Sequence, residues 1–128
     1  MSAPGFNLFV YGTLRADGVA AELLAQAGYI RAAAVPGTLY DIDGAYPALM
    51  LYGSTPVRGE IWHCPPDLLA QLDAYESVQH GLFRRVGVEV AGLPCWTYVA
   101  GPALASKLTP ERRVDAGDWM HDKLRVEE

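Results

Sequence analysis

The stretch LFVYGTLR, residues 8–15, decides the fold of this chain. The run from Phe6 to Tyr11 is almost continuously apolar and aromatic, and it has the length of a strand. Such a run is typical of a strand that is covered on both faces inside a sheet. The run stops at Gly12, where the chain must turn. We therefore predict a buried strand that ends in a tight turn exposing several backbone N–H groups.

The composition is that of an ordinary globular domain. The 128 residues are 51% hydrophobic and 20% charged, so we expect one domain over residues 1–128 with a substantial core. The formal net charge of −5 comes from scattered acids, which gives no electrostatic reason to bind nucleic acid or an anionic membrane. No apolar stretch approaches the ~20 residues that span a bilayer, and the N-terminus lacks the features of a secretory signal. We expect a cytoplasmic protein with a small-molecule partner.

The two cysteines give no sign of a metal or redox site. Neither Cys64 nor Cys95 has a second Cys or His at metal-ligand spacing, and there is no C-x-x-C pair. We interpret both as buried thiols, with a disulfide or a nucleophile as the alternatives. His63 precedes Cys64 but points to the opposite side of an extended strand, so the two do not form a catalytic pair. We expect neither a metal nor a cofactor.

The first half of the chain contains one helix signal and several strand signals. The segment VAAELLAQA at 19–27 has apolar residues at helical spacing, and Gly28 stands where a left-handed C-cap belongs. Extended segments are predicted at 30–35, 38–42 and 48–51, separated by turn-like residues. This gives two or three short strands joined by irregular loops.

The second half of the chain predicts a turn, a strand, a helix and a hairpin. These are GSTP at 53–56, VRGEIWH at 57–63, Pro65 to Glu76, and FRRVGVEV and LPCWTYVA on either side of Ala91 and Gly92. A short polar helix at most follows VDAGDW near the C-terminus. Strands outnumber helices without regular βαβ alternation, so we predict an α+β fold. Its sheet is expected to be strongly curved or barrel-like, with one or two helices packed against it.

Glu76 lies on the apolar side of its predicted helix. With about 100° per residue, it falls about 80° from Leu68 and near Leu72. A carboxylate buried without partners costs several kcal/mol, and its pKa rises. One interpretation is that Glu76 ends the helix and turns to solvent, or pairs with Arg84 or Arg85. The other is a general base whose pKa is raised toward neutrality.

The turn after the first strand is a candidate anion site. It has one Gly and no following Lys, so it is neither a P-loop nor a dinucleotide fingerprint. Gly12 permits a sharp turn in which the N–H groups of residues 12–14 point into a common cavity and bind a carboxylate. The alternative is an ordinary turn between a strand and a loop.

Seven segments, distributed through most of the chain, form a specific pattern in their order and spacing. They are FVYGTLR at 9–15, GTLYDIDGAYPAL at 37–49, VRGEI at 57–61, LDAYE at 72–76, GLFRRVGVEV at 81–90, WTYV at 96–99 and AGDW at 116–119. Together they resemble the gamma-glutamylcyclotransferase-like family, which includes gamma-glutamylamine cyclotransferases and plant avirulence-induced-gene-like proteins. The resemblance implies a small mixed barrel with flanking helices. It also implies a cavity between the YGTL loop and the end of the LDAYE helix.

The resemblance implies roles for individual residues. In such proteins the loop backbone holds the substrate's alpha-carboxylate, and the glutamate accepts a proton. Carried over by motif, the binding loop is formed by Tyr11, Gly12, Thr13 and Leu14, and the base is Glu76.

Three further positions bear on the pocket. Tyr98 matches a family position whose hydroxyl helps to define the pocket, although it is equally well interpreted as a core tyrosine. The family often has Tyr where this chain has Phe83, so the substrate subtype is left open. Ser77 stands where Gly commonly follows the Tyr-Glu pair, and the rim of the cavity is expected to differ there.

The implied reaction needs neither water nor a metal. The alpha-amine of a gamma-glutamyl group attacks its own gamma-carbonyl, which yields 5-oxoproline and releases an amine or amino acid. The sequence does not choose among gamma-glutamyl amino acids, gamma-glutamyl-lysine isopeptides, glutathione and an acylated antibiotic precursor. The alternative function is a non-catalytic or regulatory module that binds a small carboxylate. The oligomeric state is not predicted.

Overall fold

The computed structural model describes residues 4–15 and 21–119. Its strands are β1 (Phe6–Val10), β2 (Gly28–Ile42), β3 (Tyr46–Cys64), β4 (Phe83–Val90) and β5 (Leu93–Ala100), and its α-helix is α1 (Leu68–Tyr75). Short 3-10 helices lie at Ala21–Leu24, Val78–His80, Pro102–Lys107 and Pro110–Arg112. No helix in this described part is both long and apolar enough to cross a membrane.

The five strands form one mixed sheet in the order β2-β3-β1-β5-β4. Strand β1 is antiparallel to the end of β3 and parallel to β5. Near its beginning, however, β3 is itself parallel to β5, with Leu49 opposite Val99. The two parts of β3 therefore run in opposite directions relative to β5, and the sheet curves strongly. The predicted α+β, barrel-like fold is confirmed.

Strand β1 lies at the centre of this sheet and is covered on both faces. Leu8 and Val10 belong to one buried cluster, whereas Phe9 and Tyr11 belong to another. Successive side chains of a strand point to opposite faces, so two cores require an unbroken apolar run rather than an alternating one. The structure confirms the prediction of a strand that is buried on both faces.

The prediction of short strands between residues 29 and 64 was wrong, because β2 and β3 form one long hairpin. The predicted break at Pro36 lies inside β2, which is an edge strand and therefore tolerates the missing N–H. The predicted turn at GSTP lies within β3, where its first two residues belong to a bulge and its last two pair with β2. Gly37 pairs with Thr55 but Thr38 pairs with Met50, so residues 51–54 loop out of the ladder.

The first predicted helix is also corrected. Part of it lies outside the described residues, and the described part is a single 3-10 turn. Gly28 does not act as a left-handed cap, because it begins β2 opposite His63 and its φ is not positive. Pairing with β3 thus places in a strand the glycine that local sequence assigned to a helix end. The short polar helix expected after VDAGDW lies outside the described residues.

The helix after the two prolines and the following hairpin match the prediction. Helix α1 follows Pro65 and Pro66, with Asp67 at its N-cap and Glu76 at its C-cap. In the hairpin, Ala91 and Gly92 both have positive φ, which is the geometry of a two-residue type I′ turn.

Both cysteines are free and buried, as predicted. Burial raises the pKa of Cys64 to about 11 and also raises that of Cys95. Thiolates are therefore disfavoured at both positions. Nδ1 of His63 lies 2.9 Å from Oδ1 of Asn7, so this imidazole has a partner other than the neighbouring thiol.

Candidate functional site

A cavity of about 260 Å³ lies between the loop that follows β1 and the C-terminal end of α1. All six residues named as site candidates from the sequence line it: Tyr11, Gly12, Thr13, Leu14, Glu76 and Tyr98. The structure therefore brings together two segments that are more than sixty positions apart in the chain. The site inferred from the sequence requires Glu76 and the loop at residues 12–14 to line one cavity, and they do.

Glu76 is half-buried in the wall of this cavity, and apolar side chains form most of the wall. Burial raises the pKa of Glu76 from 4.5 to about 7. Within residues 4–15 and 21–119, no side chain donates a hydrogen bond to its carboxylate or forms an ion pair with it. The alternative pairing does not occur, because Arg85 pairs with Asp73 and Arg84 is exposed. Such a carboxyl group can take up or release a proton near neutral pH.

The loop after β1 lines the same cavity and carries backbone N–H groups. The N–H of Arg15 donates to the carbonyl of Gly12 at 3.0 Å and closes a turn. The N–H groups of Gly12, Thr13 and Leu14 donate to no acceptor in the described part of the chain. Gly12 and Leu14 are buried, and buried N–H groups are nearly always paired in folded proteins. These three donors are therefore available to an anionic ligand.

Gly12 is required for a reason other than the one we expected. Its φ is not in the left-handed region, so the turn does not depend on the conformational freedom of glycine. Instead, Pro47 packs directly against it. A Cβ at this position would lie 2.5 Å from Cγ and 2.6 Å from Cδ of Pro47. The absence of a side chain lets the first residues of β3 approach the loop and close one wall of the cavity.

This packing leads to a prediction for a pair of variants. We expect Gly12→Ala to destabilise the protein by about 1–3 kcal/mol, since the added methyl overpacks the contact with Pro47. Pro47→Ala removes both clashing atoms, while Cβ of residue 47 remains 4.0 Å away. The double variant should therefore recover most of the loss, as measured by chemical denaturation of all four proteins. Additive losses in the double variant would contradict this explanation.

Tyr11 contributes to the site through its position rather than its hydroxyl. That hydroxyl donates to the carbonyl of Tyr98 and accepts the N–H of Leu49 at 3.2 Å. It therefore joins β1 to β5 and β3 at the floor of the cavity. Because its proton is donated within the protein, this hydroxyl does not donate a hydrogen bond to a ligand.

Tyr98 is both a core residue and a pocket residue. It is only 4% exposed, yet it lines the cavity. Its hydroxyl donates to Oδ1 of Asp73 at 2.6 Å, and Oδ2 of Asp73 lies 3.5 Å from Nη1 of Arg85. The guanidinium of Arg85 lies over the ring of Trp96, 4.6 Å from its centroid. This chain of contacts connects the cavity wall to α1 and β4.

Two tyrosines and one proline of the site were not found from the sequence. Tyr75 bonds through its hydroxyl to Oγ1 of Thr13 at 2.7 Å, which bridges the loop and the end of α1 at the mouth of the cavity. Tyr46 and Pro47 enter the wall from β3. The helical position of Tyr75 beside Glu76 was a usable indication, but nothing local predicted that β3 would reach this loop.

The two departures from the family pattern have structural explanations. Phe83 is buried and packs edge-on against Tyr46, with ring centroids 5.8 Å apart, so it adds apolar wall where the family often has a tyrosine. Ser77 has a φ of 53°, in the left-handed region that favours glycine. A glycine at this position would satisfy the same turn without strain.

We accordingly expect Ser77→Gly to raise the free energy of unfolding by about 0.5–1 kcal/mol. The removed left-handed strain outweighs the extra entropy that glycine gives the unfolded chain. Thermal unfolding of the two proteins tests this expectation, and a lower melting temperature for the variant would contradict it.

A family profile matches this chain, and several solved structures share its fold. The family profile described as "Gamma-glutamyl cyclotransferase, AIG2-like" matches residues 8–121. An uncharacterised protein of Pyrococcus horikoshii has a similar structure, with a TM-score of 0.78 at 19% identity, covering 95% of this chain and 96% of that one. An AIG2-like protein of Mus musculus gives 0.67 at 19% identity, covering 86% and 83%. A structure named gamma-glutamyl cyclotransferase gives 0.61 at 18% identity, covering 75% and 66%. No curated protein sequence matches this chain.

Proposed function

We propose that this chain, which belongs to the gamma-glutamyl cyclotransferase, AIG2-like family, converts a gamma-glutamyl compound into 5-oxoproline and a free amine or amino acid. The proposal is carried by one cavity, which is lined by both Glu76 and residues 12–14. Glu76 has a pKa of about 7, and the N–H groups of residues 12–14 have no partner in the described part of the chain. The first is a proton acceptor, and the second is a site for a carboxylate.

The loop is proposed to bind the alpha-carboxylate of the substrate. Three backbone N–H groups without a partner in the described residues suit an anion, and such bonds to a charged group are about twice as strong as neutral ones. The alpha-carbon then places the ammonium group beside Glu76. Thr13 and Tyr75 bridge the mouth above the ligand.

Glu76 is proposed to transfer protons between two nitrogen atoms. It takes a proton from the alpha-ammonium group, and the resulting amine attacks the gamma-carbonyl carbon. The bond from that carbon to the departing nitrogen then breaks. In total two protons pass from the attacking nitrogen to the departing one, and Glu76 carries them in turn. A carboxyl group with a pKa near 7 can act as base and then as acid at neutral pH.

The apolar cavity contributes to this reaction through geometry. An intramolecular attack gains most when the reacting atoms are held close together, and effective molarities of about 10⁵ M or more are known for such reactions. A cavity of about 260 Å³ suits a folded glutamyl group better than an extended peptide. A loop N–H that the carboxylate leaves free can stabilise the oxyanion that forms at the gamma-carbon.

The proposal is tested with a panel of gamma-glutamyl compounds and quantification of 5-oxoproline. The panel contains a gamma-glutamyl amino acid, a gamma-glutamyl-lysine isopeptide, glutathione and a simple gamma-glutamyl alkylamide. Product from at least one compound supports the enzyme and identifies the class of departing amine. Binding without product would instead favour the alternative, a non-catalytic module that captures a small carboxylate.

A further inference from the structure

Tyr98 lines the cavity, and its hydroxyl has a fixed direction. A tyrosine hydroxyl carries one proton and two lone pairs. That proton is donated to Oδ1 of Asp73 at 2.6 Å. Asp73 is ion-paired with Arg85, and an ionised carboxylate only accepts hydrogen bonds. The Tyr98 oxygen can therefore offer a ligand in the cavity a lone pair but not a proton.

Arg85 keeps this arrangement in place. Its guanidinium lies over Trp96 on β5, while its charge lies 3.5 Å from Asp73 on α1. Both contacts are made by a side chain on β4, the edge strand beside β5. The direction of the Tyr98 hydroxyl is thus determined by residues that do not line the cavity.

The cavity contains both hydrogen-bond donors and hydrogen-bond acceptors. The N–H groups of residues 12–14 are donors. The hydroxyls of Thr13 and Tyr75 bond to each other, and that of Tyr11 is occupied by backbone groups. Glu76 and Tyr98 provide acceptors. Both residues line the same cavity. Burial, the hydrogen bond to Asp73 and the nearby charges of Asp73 and Glu76 raise the pKa of Tyr98.

We propose that Asp73 is a positioning residue that turns the Tyr98 hydroxyl into a hydrogen-bond acceptor for the alpha-ammonium group of the substrate. This inference rests on the proposed function, because it assigns that ammonium group a second partner besides Glu76. An ammonium group is a pure donor, so it is matched by the two acceptors, Glu76 and Tyr98, among the residues that line the cavity. The site therefore selects a ligand that carries both a carboxylate and an adjacent ammonium.

The test uses two small ligands that cannot react. L-norvaline has the alpha-carboxylate, the ammonium and an apolar side chain, whereas pentanoate lacks only the ammonium. Their dissociation constants are measured by NMR titration of the full chain, and the ratio of pentanoate to norvaline reports the preference for the ammonium. Production of 5-oxoproline is followed in the same preparations.

Variants separate positioning from general structural damage. Tyr98→Phe should lower the ratio about tenfold, since a hydrogen bond to a charged group is lost. Asp73→Asn keeps a carbonyl that accepts the Tyr98 proton, so it should retain most of the preference. Asp73→Leu frees the hydroxyl and should lower the ratio. Combining Asp73→Leu with Tyr98→Phe should lower it no further than Tyr98→Phe alone.

The outcomes distinguish this inference from the proposed function. A preference for norvaline that depends on Tyr98 and Asp73, without any 5-oxoproline, would support the inference and count against the enzyme. Product formation with an unchanged ratio in Tyr98→Phe would overturn the inference and leave the enzyme standing. Equal or undetectable binding of the two ligands by the unmodified protein would also overturn it. If Asp73→Leu does not fold, Tyr98→Phe and Asp73→Asn still decide.

Discussion

Replacing Glu76 by glutamine is expected to reduce 5-oxoproline formation by about 10²–10⁴-fold, the usual contribution of a positioned acid or base. Glutamine has nearly the same shape and volume as glutamate but cannot carry the proton. The comparison is made on purified proteins at saturating and at low substrate concentrations. We expect kcat to fall far more than KM changes, because substrate contacts of the loop backbone are retained. Undiminished turnover in Glu76→Gln would contradict the assignment of the base.

The pH dependence of the unmodified enzyme gives an independent check. Glu76 must be ionised to accept a proton, and its pKa in the free protein is about 7. The value of kcat/KM should therefore rise with pH up to about 7 and level off above it. The residual rate of Glu76→Gln should lose this dependence on pH, because glutamine does not titrate. A profile that is flat between pH 5 and 8 would argue against Glu76.

Glu76→Gln is also expected to stabilise the protein at alkaline pH. The pKa of Glu76 rises from 4.5 in the unfolded chain to about 7 in the folded protein. The folded state therefore binds more protons than the unfolded state between these two values. The stability of the unmodified protein should accordingly fall as pH rises through this window, by up to about 3 kcal/mol. Below pH 4.5 the protonated carboxyl imposes no such penalty.

Glu76→Gln removes this titration. We expect the variant to match the unmodified protein near pH 4.5 and to exceed its free energy of unfolding by up to about 3 kcal/mol at pH 8. Denaturant unfolding at several pH values measures the difference. A difference that does not change with pH would show that Glu76 is well solvated. A gain in stability together with a loss of turnover is the behaviour of an active-site group that is kept at a structural cost.

Glu76 is expected to lower stability but to be needed for turnover, and this explains why it was detectable in the sequence. A carboxylate inside an apolar helical stripe contradicts the local pattern, and such contradictions are expected at functional sites. The pattern alone allowed an ion pair with Arg84 or Arg85 as well. Only the tertiary structure decided that Arg85 on β4 meets Asp73 on α1 and leaves Glu76 in the cavity.

The strand predictions show where local sequence is insufficient. Pro36, Gly37 and the GSTP segment are typical of turns, yet they lie within two strands of 15 and 19 residues. Pairing between the strands supplies enough hydrogen bonds to carry the chain through these residues, and the bulge at 51–54 absorbs the irregularity. Gly28 was misassigned for the same reason.

By itself the sequence determined the elements whose causes are local: a first strand buried on both faces, helix α1, the hairpin at Ala91 and Gly92, and the family. The tertiary structure decided which groups meet. It brought Pro47 against Gly12, joined Tyr98 to Asp73, and closed a single cavity around Glu76 and the loop. These contacts depend on the reversal of β3 beside β5, which arises from long-range pairing that no local pattern encodes.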